Sequence, residues 1–191
     1  MSNRARTAAF AAALALGVWF AAAAESISAD EKGGKVGPYN TALVDLTKGK
    51  GKPADIANKA DLGDVMQAFK PRAKGGLGVG PTPDTIKPDG IELKFIALGK
   101  MKAIPAAALG KEGPDIAKAA DVTKAIAGVT LLYAEKEGKK APTKWKQFAE
   151  DMQKAAGDLS AAAKKGDPAA VKTAIGKLNA SCNDCHADFR D

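Results

Sequence analysis

The 191-residue sequence predicts an all-α protein, an antiparallel four-helix bundle with an N-terminal extension and a Gly/Pro-rich loop. Three observations carry this. Alanine supplies 41 residues and aromatics only 5%; Ala combines the highest helix propensity with little volume to bury, so helices are favoured over sheets. Apolar side chains recur at spacings of three and four along several long segments. Short Gly- and Pro-containing breaks separate these segments, which returns consecutive helices as antiparallel neighbours. Charged residues make up 27%, and Leu, Ile and Val run throughout, so the chain is not of a disordered type.

The elements follow in order. Arg4 and Arg6 precede an apolar run over residues 8–24, and Ala22 and Ala24 form a small-x-small pattern before Glu25, which reads as a signal peptide over residues 1–24. The run is too short and too Ala-rich to favour an uncleaved anchor, and no second hydrophobic segment follows, so no integral membrane segment is expected after cleavage. Cleavage removes two arginines and no acid, lowering the formal charge from +7 to +5. Residues 25–52 are rich in Gly, Lys and small polar side chains and read as an extension, with a short helix at 39–46. The four-helix-bundle domain then occupies residues 53–191.

Within that domain, residues 53–70 form the first expected bundle helix, with Pro53 suited to a first turn and a stripe of Leu62, Val65, Met66 and Phe69. Pro71 stops it, and residues 74–89 contain too much Gly and Pro for regular structure. Residues 90–109 alternate like a strand and also fit one helix face; in a helical protein the helix is taken. Ile116, Ala120, Ile126, Val129 and Tyr133 mark a helix over 114–136. Trp145, Phe148, Met152, Ala155, Leu159 and Ala162 mark one over 143–164, the most regular stripe in the chain. Asp167 as N-cap and Pro168 in the first turn start the last helix.

That helix ends in Cys182-Asn183-Asp184-Cys185-His186, the C-x-x-C-H arrangement of covalent c-type haem attachment. Val171, Ile175, Leu178, Cys182, Cys185 and Phe189 follow at intervals of three and four, so both thiols share the apolar face, each suited to a thioether with one haem vinyl group. His186 lies directly after Cys185 and is the only histidine in the chain, which makes it the candidate proximal iron ligand. A zinc site would need four ligands where Cys and His together supply three. A thioredoxin-like dithiol would stand at the start of a helix, not at its end. A structural disulfide remains the plain alternative, but none of the three accounts for the adjacent sole histidine.

Residues 145–190 resemble the last two helices of the cytochrome c′ family, the class II c-type cytochromes. The resemblance lies in W-x-x-F (Trp145, Phe148), the Ala-rich run after it, G-D-P-A-A-V-K (166–172) and C-N-D-C-H-A-D-F-R (182–190), about a quarter of the chain. It implies a four-helix bundle with one covalent haem c near its C-terminal end, His186 as proximal ligand and Arg190 near the proximal face. In that family the distal position belongs to the first bundle helix, as Met in low-spin members and an apolar residue in high-spin ones, which points to Met66. The N-terminal half departs from the family pattern: Met66 lies about forty residues past the expected cleavage site, and the Gly-rich loop after it is unfamiliar. Residues 70–76, basic and directly after the expected Met66 helix, are placed to meet haem propionates or to serve as a solvated connection.

With His and Met as axial ligands, iron is suited to electron transfer; with an open sixth position it binds diatomic gases such as nitric oxide. A peroxidase relies on a distal acid–base residue, commonly His, and there is no second His, so no catalysis is expected. The functional expectation is therefore an exported, periplasmic monohaem electron carrier, with diatomic gas binding as the alternative. The scattered lysines lack the clustered Arg and interleaved aromatics of a nucleic-acid binder; they read as solvated helix faces, or as a surface that steers an acidic redox partner. The resemblance also implies that two copies can pair as a homodimer.

Overall fold

The computed structural model describes residues 37–190. The expected signal peptide and residues 25–36 lie outside the described residues. What is described is all-α: α1 (Asn40–Thr47), α2 (Pro53–Ala57), α3 (Leu62–Met66), α4 (Ile91–Lys100), α5 (Ala106–Thr130), α6 (Pro142–Lys165) and α7 (Pro168–Phe189), with short 3-10 turns between some of them.

Three long helices make up most of the bundle. α6 packs between α5 and α7, joined to α7 by only Gly166 and Asp167, so the two run antiparallel. Gly166 takes a left-handed φ of +67° to end α6, and the Asp167 carboxylate accepts from the amides of Ala169 and Ala170 to start α7. The expected stripes of α6 and α7 are buried as a common core: Trp145, Met152, Ala155 and Leu159 from one, Val171, Ile175 and Leu178 from the other. Buried alanines, among them Ala117, Ala120, Ala156 and Ala163, let these helices approach closely.

The fourth side is built differently from the expectation. α4 packs on α7, while α1 and α2, with α3, pack on α5, so the bundle is closed by short helices in two groups. The single helix expected over 53–70 is instead α2, α3 and the 3-10 turn Gln67–Phe69. The reason lies in the carbonyls a continuous helix would need. Tyr39 Oη donates to the Lys59 carbonyl at 2.8 Å and the buried Tyr133 Oη to the Ala60 carbonyl at 2.7 Å, taking two acceptors that helical amides at 63 and 64 would have used. α1 matches the short helix expected at 39–46, and it is no detached arm: Leu43 and Val44 are buried.

The other corrections follow from proline. α4 stops at Lys100 and α5 begins at Ala106, because Pro105 has no amide to continue a helix and forces extended backbone before it. α5 therefore starts eight residues earlier than the helix expected over 114–136 and carries Pro114 inside it. The ring at 114 is exposed, so it displaces no packed side chain.

The stretch between α3 and α4 has no long helix but is firmly held. The Arg72 guanidinium pairs with Asp89 and donates to the Gly80 carbonyl. Lys94, only 4% exposed, donates to Glu112 at 2.6 Å and to the Lys87 carbonyl at 3.0 Å. Gly76 fits where nothing larger would, since a Cβ there would lie 1.7 Å from the Lys70 carbonyl oxygen.

Two predictions test this packing. Gly76→Ala should lower the stability of the folded protein by about 2 kcal/mol or more, whereas Gly176→Ala, in open space on α7, should raise it by about 0.5–1 kcal/mol; denaturant titration of both measures the contrast. Burial and the charge of Asp61 raise the Tyr133 pKa above its ordinary value of 10.0. The folded state then keeps this proton longer than the unfolded one, so the contribution is complete below pH 10 and lost as pH rises beyond it. Tyr133→Phe should cost about 1–2 kcal/mol at neutral pH and flatten the fall in thermal stability above pH 10.

Candidate functional site

The site is set by how the last turns of α7 are held. Trp145 Nε1 donates to the Thr130 carbonyl at 2.8 Å, which fixes the indole at the start of α6. Phe189 then packs edge-on against that indole, with ring centroids 5.1 Å apart, and against Phe148 at 6.3 Å. Lys144 adds an ion pair to Asp188. These contacts fix the rotation of residues 182–190, and with it the direction in which each functional side chain leaves the helix.

α4 crosses α7 in the opposite sense. Asn179 Nδ2 donates to the Phe95 carbonyl at 3.4 Å, and Lys172 Nζ donates to the carbonyls of Gly99 and Met101 at the end of α4. The lack of a side chain at Gly99 permits this approach, since a Cβ there would lie 2.5 Å from Asn179 Nδ2.

Between α3, α4 and α7 lies a cavity of about 780 Å³, within the range typical of cofactor sites. α7 contributes Leu178, Cys182, His186 and Arg190; α3 and the turn after it contribute Leu62, Met66, Phe69 and Lys70. α4 supplies Glu92, Phe95, Ile96 and Lys100, and the inner end is closed by Thr123 from α5 and Met152 from α6. Four of the five residues singled out from the sequence thus meet in one space. Cys185 does not line it; this thiol is half-buried, one turn further along α7.

Cys182 and Cys185 are not joined to each other as a disulfide. Burial, helped by Cys185 and Glu92, pushes the Cys182 thiol up to about 11, and burial with Asp188 raises Cys185. Neither thiol is lowered toward the thiolate, as the attacking cysteine of an activated redox pair would be. Among the described residues no three Cys, His, Asp or Glu side chains converge to hold a bare metal ion.

Sequence spacing placed Met152 in the α6 core stripe, where it is, but gave no sign that the same side chain reaches the cavity. Phe95 and Glu92 were equally hidden, because their segment was ambiguous between strand and helix.

Residues 99–190 match the family model of Cytochrome C'. This segment belongs to the cytochrome c′ family. Members of that family bind a covalently attached c-type haem with its iron, so this is a c-type haem protein. The matched span covers α5, α6 and α7 with Cys182, Cys185, His186 and Arg190, while Met66 and most of the α4 wall lie outside it. No curated protein and no solved structure matches the chain. The cavity suits the cytochrome c′ cofactor: its walls are largely apolar, its rim carries Lys70, Lys100 and Arg190, and two thiols three residues apart stand on one bordering helix. No helix among the described residues is long and apolar enough to cross a membrane.

The thiol chemistry gives a prediction. In protein produced without haem attachment, iodoacetamide at pH 8 should label Cys185 several-fold faster than Cys182, whose thiolate fraction would be about one in a thousand; peptide mass spectrometry reads the two rates. Equal rates would show that α7 is not held as described.

Proposed function

We propose that the protein is an exported monohaem c-type cytochrome that carries electrons one at a time. Cys182 and Cys185 hold the haem by thioether bonds, His186 is the proximal iron ligand and Met66 the sixth. The observation that carries this reading is the shared cavity, in which α7 presents Cys182 and His186 while α3, across the bundle, presents Met66. When bound, the haem iron supplies a one-electron ferric–ferrous couple, and Met ligation raises its potential.

The chain's own residues do the rest. Leu62, Phe69, Phe95 and Leu178 exclude water from the cofactor face, which favours the less charged state of the iron. Lys70 and Arg190 put positive charge at the cavity rim, where carboxylates of the cofactor are compensated. The protein is a carrier rather than an enzyme, since its one histidine is engaged as a ligand. Arg4, Arg6 and the apolar run after them support export to the periplasm, with residues 1–24 as the signal peptide and a redox partner of acidic surface outside the cytoplasm.

Gas binding is the second reading, favoured by one feature. Met66 ends a five-residue helix that has no side-chain cap, and the wall around it is otherwise apolar, so an iron without this ligand would face Leu62 and Phe69 and be open to nitric oxide. An absorption spectrum of the purified holoprotein distinguishes the two. The ferric protein should show the weak far-red band of Met–iron charge transfer, and Met66→Ala should abolish it and turn the iron high-spin. A wild-type spectrum that is already high-spin and unchanged by the substitution, with carbon monoxide binding on reduction, would replace electron transfer by gas binding.

A further inference from the structure

α4 has a second face that the bundle does not use. Of the three large hydrophobic side chains that stay exposed among the described residues, Leu93 at 43% and Met101 at 40% belong to α4 and its end, while Leu132 lies apart, just after α5. They are eight residues apart with the half-buried Ala97 between them, so all three fall along one side of the helix. The stripe is rigid at its far end, where Lys172 holds the Gly99 and Met101 carbonyls. Burying apolar surface requires a partner, and isolated exposed side chains would not be so aligned.

The charge at the far end of this stripe is positive. Lys100 and Lys102 flank Met101; both are exposed, and neither is paired with a carboxylate among the described residues. The other charges nearby are accounted for: Lys94 is buried against Glu112 and Asp89 is bound to Arg72. Glu92 is the one carboxylate that α4 carries. The opposite face of this helix, through Phe95, Ile96 and Gly99, lines the cavity, so a partner on α4 is separated from the cofactor by about one helix diameter, ~10 Å.

We infer that the outer face of α4 is the docking surface for an acidic redox protein, one in which carboxylates surround an apolar patch. Leu93 and Met101 enter that patch, and Lys100 and Lys102 meet the carboxylates, which orients the cofactor edge toward the partner. Two copies of this chain would oppose the same positive charges across such a contact, so self-association is not what the surface fits. The inference rests on the haem assignment above, and the test separates the two.

The probe is a gold electrode bearing a mixed monolayer of carboxylate- and methyl-terminated alkanethiols, with the holoprotein studied by cyclic voltammetry. Wild-type protein should adsorb with a reversible wave that weakens as salt is raised. Lys100→Glu with Lys102→Glu should cut the electroactive coverage by about tenfold. Leu93→Ser with Met101→Ser should lower it on the mixed monolayer but not on carboxylate alone. Lys124→Glu with Lys154→Glu, in the outer groove of α5 and α6, should leave it near wild type, and circular dichroism should show all variants folded. No wave from any variant, with no haem spectrum, would overturn the haem assignment instead. A normal wave insensitive to the α4 substitutions, an equal loss from the control pair, or a dimer that the α4 substitutions split would overturn the docking surface.

Discussion

The structure depends on a space that the chain does not fill with its own side chains. A bundle made largely from alanine brings α5, α6 and α7 close together, but toward the C-terminal end of α7 the walls diverge around about 780 Å³. With aromatics at 5% of the sequence, there is little bulk to occupy such a volume. Interiors are otherwise packed to the density of organic crystals. A large planar apolar group fixed to α7 resolves the mismatch, and the family to which residues 99–190 belong carries one. The thin core and the cofactor are then two sides of one design.

The remaining architecture follows from keeping that space open yet defined. α7 is fixed at its end by Phe189 against Trp145 and Phe148, which sets where Cys182 and His186 point. The far wall needs to place Met66 without a long helix, and Tyr133 and Tyr39 do this by holding the carbonyls of the break before α3. α4 completes the wall, attached to α7 through Asn179 and Lys172 and to α5 through the buried Lys94–Glu112 pair. The same helix therefore faces the cofactor on one side and offers an aligned apolar stripe to solvent on the other.

Legibility in the sequence divided along physical lines. α6 and α7 were legible because stripe, caps and composition agree: Pro168 begins α7, Gly166 and Asp167 separate the two, and their apolar residues keep strict helical spacing. The C-x-x-C-H motif needed no fold at all. The segment around Met66 was misread as one helix because its stripe is helical, while what interrupts it is a pair of tyrosine hydroxyls, one of them 73 residues away. The helix expected from residue 114 begins earlier, because with solvent beside it the Pro114 ring is tolerated inside α5. Met152 shows the remaining limit, since periodicity tells which face is inward but not whether that face meets side chains or a cofactor.

The central claim is that the cavity is occupied by a haem held covalently at the end of α7. Mass spectrometry of the tryptic peptide spanning residues 178–190 from the purified, coloured holoprotein tests it directly. The account predicts one haem on that peptide, with neither Cys182 nor Cys185 open to alkylation and a single remaining thioether when either is changed to Ser. A peptide of unmodified mass, with both thiols alkylated after denaturation, would contradict it.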